Sequence, residues 1–101
     1  MTEIYGLSQE QLSRILTCID LHLPHVKVFA FGSRVKSHPR QYSDLDLALD
    51  AGHPIDLSQL TKIKHSLSET DIPITIDIID YRSVSKDFKA IIDEQKIPLS
   101  K

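Results

Sequence analysis

The stretch from Phe31 to Asp50, FGSRVKSHPRQYSDLDLALD, places residue types that could do chemistry at a fixed spacing. A Gly32-Ser33 pair follows one apolar run, and after ten further residues Asp44 and Asp46 open a second. If residues 44–49 form a strand, the two carboxylates project to the same side. Like charges held that close repel unless a cation lies between them. Mg²⁺ is usually held by one or two carboxylates together with substrate phosphates, so the pair predicts a metal site.

A third carboxylate, Asp77, is the only acid inside the predicted strand 74–79. Its alternation with Ile76 and Ile78 predicts that it points to the opposite face from them. If this strand lies beside residues 44–49, Asp77 sits next to the acidic pair. Three carboxylates can hold two metal ions, or hold one and deprotonate a nucleophile, and the residues alone leave both roles open.

The turn at Gly32-Ser33 supplies the features of an anion site. Glycine lets the backbone approach a ligand closely, and a serine hydroxyl with backbone N–H groups can hold phosphate oxygens. The turn and the acidic pair would then contact two sides of one metal-bound triphosphate. Arg34 follows the turn directly and could neutralise phosphate charge, although a solvated loop is the alternative for the basic residues of 34–43.

Hydrophobic periodicity predicts the elements that must position these residues. A helix opens at a capping box at Ser8 and stops at Pro24, and a later helix is capped by Ser83 or Ser85. The order is α-β-β-α-β-α, which predicts an α+β fold (α/β two-layer) in which helices pack on a small mixed sheet of three or more strands. The predicted strands are Val26–Phe31, Asp44–Leu49 and Ile74–Ile79, and a middle helix carries Leu57, Leu60, Ile63 and Leu67.

Composition limits the function classes. The 101 residues predict one domain, 1–101, and 41% hydrophobic and 26% charged residues are typical of a folded protein. A net charge of −2 gives no electrostatic reason to expect direct nucleic-acid or membrane binding. The single cysteine, Cys18, and the absence of a signal-peptide pattern lead us to expect a cytoplasmic protein.

Four segments of the chain resemble one known family: VFAFGSRVK, YSDLDLAL, ITIDIID and SKDFKAIIDE. Gly-Ser, ten residues and Asp-x-Asp is the signature of nucleotidyltransferases similar to DNA polymerase beta, and with its short length the chain looks like a minimal nucleotidyltransferase (MNT). The resemblance implies that Gly32 and Ser33 bind the phosphates of the nucleotide. It also implies that Asp44 and Asp46 are metal ligands and Asp77 the third carboxylate.

The resemblance further implies a reaction and a partner. MNT proteins commonly pair with a small helical HEPN protein, often a ribonuclease toxin. The expected activity is Mg²⁺-dependent transfer of a nucleoside monophosphate, AMP from ATP, to a hydroxyl such as a toxin tyrosine. The chain would then be an antitoxin enzyme acting within a hetero-oligomer.

The sequence also allows other functions. The chain could be a non-catalytic antitoxin that neutralises its partner by complex formation, or a transferase acting on a small molecule. Its short length counts against the small-molecule reading, because no domain remains to enclose such an acceptor. A strand-end Asp pair can also be a solvated edge, and a Gly-Ser pair an ordinary turn. Asp50 and Asp80, at strand ends, are predicted to cap turns.

Overall fold

The computed structural model of the protein describes residues 8–32, 45–70, 72 and 75–99. In chain order its elements are α1 (Gln9–His22), β1 (Lys27–Phe31), β2 (Leu45–Asp50), α2 (Leu57–Ser68), β3 (Ile76–Asp80), α3 (Lys86–Gln95) and β4 (Ile97–Leu99). The predicted order is confirmed, and β4 follows as an additional strand. The ends of the predicted strands differ by one or two residues from those observed, and the expected strand residues Asp44 and Ile74 lie outside the described residues.

The strands form one mixed sheet in the order β3-β2-β1-β4. β1 pairs antiparallel with both β2 and β4, whereas β2 and β3 are parallel. The helix α2 connects the two parallel strands, as a parallel pair requires. Because β1 runs opposite to β2 and β3, its carboxyl end lies at the same sheet edge as their amino ends. The edge where β1 ends therefore also holds the first residues of β2 and β3.

Alternation along the strands divides the sheet into two faces. Leu45, Leu47 and Leu49 of β2 are fully buried on one face, where α1 and α2 pack against them. The opposite face carries Asp46 and Ala48 of β2, and α3 covers part of it. An aromatic-rich cluster fills the space between α3 and the sheet. Its buried members are Phe31, Ala48, Tyr81 and Ile92, and Phe29, Ile79, Val84 and Phe88 are partly buried around them.

The helix ends follow the sequence signals. Ser8 Oγ accepts from the Gln11 backbone N–H, and the Gln11 side chain accepts from the Ser8 N–H, so the predicted capping box is present. Ser85, the second of the two predicted candidates, caps α3 by accepting from the Phe88 N–H. These caps satisfy N–H groups that have no partner inside a helix. No helix within the described residues is long and apolar enough to cross a membrane.

Candidate active site

Gly32 stands immediately after β1, at the edge where β2 and β3 begin. Its φ is +90°, a backbone conformation that L side chains rarely adopt. A methyl group at this position would also overlap the carboxylate of Asp46. Two independent features thus require glycine here, and the backbone at the end of β1 lies directly against the Asp46 side chain.

Asp46 is oriented by its neighbours in β2. Leu45 and Leu47 are fully buried on the α1–α2 face, so Asp46 between them must project to the other face. In the sheet register it lies opposite Phe31 of β1 on one side and Asp77 of β3 on the other. The carboxylate is half-buried at the centre of the sheet edge, next to Gly32.

Asp77 is the in-register partner of Asp46 on the parallel strand β3. Register partners project to the same face, and neighbouring strands are about 4.8 Å apart, so the two carboxylates are neighbours. Asp77 is exposed, whereas Ile76 and Ile78 on either side of it face the α1–α2 core. The adjacency that was inferred from chemistry alone is present in the sheet for Asp46 and Asp77.

The backbone of Gly32 is held by a residue far along the chain. Its N–H donates to Oε1 of Gln95, the last residue of α3, at 3.0 Å. Gln95 is half-buried. No sequence pattern singled out this glutamine, because a contact between residues 63 positions apart leaves no local spacing signal.

Comparison with known proteins places this arrangement in a family. Residues 14–101 match the polymerase beta nucleotidyltransferase family. The chain belongs to that family. MntA of Haemophilus influenzae, a probable protein adenylyltransferase, is 38% identical over 86 residues, which are 85% of this chain and 75% of the relative. The predicted membership of the MNT nucleotidyltransferases is confirmed.

Solved structures of family members share the fold. A toxin–antitoxin structure with AMP-PNP matches with a TM-score of 0.75 at 21% identity, covering 88% of this chain and 72% of the matched one. The structure of a complex between a tri-AMPylated Shewanella oneidensis HEPN toxin and an MNT antitoxin also contains a matching chain. The match has a TM-score of 0.65 at 22% identity and covers 91% of this chain and 71% of the matched one. The predicted nucleotidyltransferase fold is confirmed by these likenesses.

Three predicted site residues, Ser33, Arg34 and Asp44, lie outside the described residues. Their place in the candidate site stays a prediction. Within the described ranges, no group of three or more His, Cys, Asp or Glu side chains is placed to hold a metal ion. The structure brings together Gly32, Asp46 and Asp77, and adds Gln95.

An aromatic cluster joins α3 to the face of the sheet that carries the carboxylates. Phe88 packs edge-on against Phe31, with ring centroids 6.0 Å apart. The Tyr81 hydroxyl donates to Asp93 Oδ1 at 2.6 Å. This hydrogen bond raises the pKa of Tyr81 and lowers the pKa of Asp93. Tyr81 is buried in this cluster and also holds α3 through its hydroxyl.

The opposite edge of the sheet, where β2 and β3 end, carries a separate polar network. Asp50 accepts from the Gly52 N–H and binds Arg82 through Nε at 2.7 Å. The hydrogen bond from Arg82 holds the pKa of Asp50 below its usual range. Asp80 is 6% exposed and accepts from the backbone N–H groups of Arg82 and Ile55. The predicted capping roles of Asp50 and Asp80 are confirmed.

An open groove of about 960 Å³ lies between α1 and α2, on the other face of the sheet from Asp46 and Asp77. Within it, His22 Nε2 and Ser66 Oγ are 2.9 Å apart. Cys18 also lines the groove, and burial raises the pKa of its thiol, which disfavours the reactive thiolate. The carboxylate edge is the candidate active site because the in-register aspartates Asp46 and Asp77 lie there beside Gly32.

Proposed function

We propose that this chain is a Mg²⁺-dependent protein adenylyltransferase that transfers AMP from ATP to a tyrosine hydroxyl of a HEPN-type toxin and thereby acts as its antitoxin. The observation that carries the proposal is the in-register pair Asp46 and Asp77 beside the φ +90° turn at Gly32. One edge of the sheet thus combines a candidate cation-binding site with a backbone that a phosphate can approach.

The named relatives support the choice of substrate and partner. The Haemophilus influenzae relative is named a probable protein adenylyltransferase, and the solved structures include one with AMP-PNP and one with an AMPylated HEPN toxin. Family membership with 38% identity over most of the chain makes the same chemistry the best proposal here. We also place the protein in the cytoplasm, as a single domain that works in complex with its toxin.

The carboxylates fit the ion that this chemistry needs. Two neighbouring aspartates repel each other, and a hard divalent cation with oxygen ligands relieves that repulsion. Asp44, Asp46 and Asp77 would hold Mg²⁺, which when bound neutralises triphosphate charge and makes the α-phosphate more electrophilic. Gly32 and Ser33 would position the triphosphate, with Arg34 neutralising part of its charge.

The transfer itself is an in-line displacement. The acceptor oxygen forms a bond to the α-phosphorus while the bond from that phosphorus to the bridging oxygen breaks, and pyrophosphate leaves. The acceptor gives up its proton in the same step. Asp77 is the exposed carboxylate of the described pair, so an acceptor hydroxyl can reach it. Its two proposed roles are alternatives: it either completes the metal site or, when it is not bound to the ion, accepts this proton.

The test is the intact mass of a HEPN-type partner after incubation with this protein, ATP and Mg²⁺. We expect a gain of one or more AMP units with the unmodified chain. The gain should be absent with the double variant Asp44→Asn, Asp46→Asn, and with Asp77→Asn. Asp56→Asn is the matched control, because Asp56 is an exposed aspartate whose side chain makes no capping hydrogen bond.

The possible outcomes separate the candidate functions. Mass gain that depends on the Asp44 and Asp46 pair and on Asp77, but not on Asp56, would establish the transferase and locate its site. A stable complex without any mass gain would contradict the enzyme proposal and favour an antitoxin that acts by contact. Transfer to a small alcohol by the chain alone would contradict the protein acceptor.

A further inference from the structure

Gln95 lies outside the predicted site, and its side chain is hydrogen-bonded to the proposed phosphate turn. Its Oε1 accepts the Gly32 N–H at 3.0 Å. It lies at the end of α3, directly before Lys96, which ends the helix with its N–H bonded to the Ile92 carbonyl at 2.7 Å. The contact thus joins the carboxyl end of α3 to the carboxyl end of β1.

The sheet explains why this glutamine meets this glycine. β4 begins two residues after Gln95, and Ile97 pairs with Ala30 in the antiparallel ladder with β1. Continuing that register by two residues brings Gly32 opposite Gln95. The chain is still helical at Gln95, and the side-chain amide oxygen of this residue accepts the Gly32 N–H. The bond therefore extends the β1–β4 pairing by one polar contact.

This bond constrains the conformation that matters for nucleotide binding. Gly32 has φ +90° and lies against the Asp46 carboxylate, so a small rotation of its peptide would change how the backbone meets a phosphate. The bond with Gln95 fixes the direction of the Gly32 N–H and directs it toward α3. A preorganised turn binds its ligand without the cost of ordering the backbone first.

We infer that Gln95 is a positioning residue for nucleotide binding, which holds the Gly32 turn in its phosphate-binding conformation by accepting the Gly32 N–H. The inference rests on the proposed nucleotidyl transfer at this edge. It also makes the position of α3 part of the active site, because any movement of the helix end moves the acceptor of the Gly32 N–H.

Two substitutions separate the hydrogen bond from packing and charge. Gln95→Met keeps the length of the side chain but removes the acceptor. Gln95→Glu keeps an acceptor and adds a negative charge near Asp46 and the triphosphate. Glu94→Gln is the control, because Glu94 is exposed on the same turn of α3. For each protein we would measure the Kd for Mg²⁺·AMP-PNP, KM for ATP, kcat, Tm, and amide hydrogen exchange at Gly32.

We expect Gln95→Met to weaken Mg²⁺·AMP-PNP binding by about three- to tenfold, which is the range for losing one hydrogen bond. KM should rise by a similar factor with kcat little changed, and exchange at Gly32 should accelerate. Gln95→Glu should leave that exchange slow but raise the Kd. Higher Mg²⁺ concentrations should bring the Kd of this variant closer to that of the unmodified chain. Glu94→Gln should match the unmodified chain in all of these.

Two results would overturn the inference, and they are distinguishable. If the unmodified chain binds the nucleotide and Gln95→Met binds it equally well, Gln95 has no positioning role and the proposed function stands. If the unmodified chain neither binds Mg²⁺·AMP-PNP nor transfers AMP, the proposed function fails and the role of Gln95 fails with it. In the first of these results, an accompanying drop in Tm would show that Gln95 stabilises the fold without positioning the turn.

Discussion

At the scale of single residues, the site depends on the absence of a side chain at Gly32. Gly32→Ala would introduce a methyl group that overlaps the Asp46 carboxylate, at a φ of +90° that alanine rarely adopts. We expect nucleotide transfer to fall by at least about tenfold, because the added methyl group displaces the Asp46 carboxylate from its place beside the turn. The free energy of unfolding should fall by about 1–2 kcal/mol or more, from the left-handed backbone strain alone.

Gly52→Ala is the matched control for that substitution. Gly52 also has a positive φ, +82°, but nothing lies within 4 Å of an added methyl group. It should therefore show the backbone strain without the loss of transfer. Urea unfolding and AMP transfer measured on both variants separate the two effects. Equal losses of transfer in the two variants would show that the contact between Gly32 and Asp46 is unimportant.

The pair Asp50 and Arg82 predicts how stability depends on pH. Arg82 lowers the pKa of Asp50 in the folded state, so the folded protein releases the Asp50 proton more readily than the unfolded chain does. The pair thus stabilises the fold above the unfolded pKa of about 3.9, and this contribution is lost as pH falls through the lower folded pKa.

Asp50→Asn should therefore reduce stability at neutral pH, and its effect should shrink as pH falls below the unfolded pKa of about 3.9 and through the lower folded pKa. The measurement is the free energy of unfolding in urea between pH 2.5 and 7. The curves of the variant and the unmodified chain should converge toward acid. A constant difference across the whole range would mean that Asp50 stabilises the fold by something other than its charge.

At the scale of elements, the sequence predicted the helices and the three longer strands but not β4. β4 comprises Ile97, Pro98 and Leu99, and three residues with a central proline give no usable alternation. Its place at the sheet edge comes from pairing with β1, which is a tertiary contact. For the same reason the role of Gln95 was not predictable, whereas metal chemistry suggested that Asp77 joins the acidic pair only if their strands are adjacent, and the parallel pairing of β2 and β3 meets that condition for Asp46.

The helix α3 gives the clearest prediction at this scale. Within this helix Ile92 is fully buried, whereas its neighbour Ile91 is 48% exposed. Ile92→Ala should lower the free energy of unfolding by about 2–4 kcal/mol, because it removes buried methyl groups and leaves a cavity. Ile91→Ala should cost less than about 1 kcal/mol. Since Ile92 anchors the helix that carries Gln95, its truncation should also raise the Kd for Mg²⁺·AMP-PNP.

Denaturant unfolding and nucleotide titration test both halves of that prediction. The titration must be done where the variant is still fully folded, which circular dichroism can establish. If Ile92→Ala loses stability but binds nucleotide normally, the position of α3 does not control the turn. If the two isoleucine variants are equally destabilised, α3 packs on the sheet differently from the arrangement described above.

At the scale of the whole molecule, the two edges of the sheet have different tasks. The amino ends of the parallel strands carry Asp46 and Asp77, and their carboxyl ends carry Asp50 and Asp80. Four residues along β2 separate the two edges by about 13 Å. At one edge the aspartates are in-register neighbours, and we propose that they bind a cation. At the other they are paired with N–H groups and Arg82, and they stabilise the fold.

This division predicts opposite effects of the same chemical change at the two ends of β3. Asp80→Asn should lower the free energy of unfolding by about 1–3 kcal/mol, because Asp80 is buried and accepts from Ile55, Arg82 and Ser83. It should leave the Kd for Mg²⁺·AMP-PNP unchanged. Asp77→Asn should abolish AMP transfer yet keep or raise stability in Mg²⁺-free buffer, because it removes the repulsion with Asp46.

Urea unfolding without Mg²⁺ and AMP transfer with Mg²⁺, measured on both variants, form the complete test. A protein in which every aspartate serves both stability and function would lose both properties in both variants. Loss of stability in Asp77→Asn would show that Asp77 is held by contacts that outweigh its repulsion with Asp46. Loss of transfer in a fully folded Asp80→Asn variant would show that the far edge of the sheet reaches the active site, and the division of tasks would be wrong.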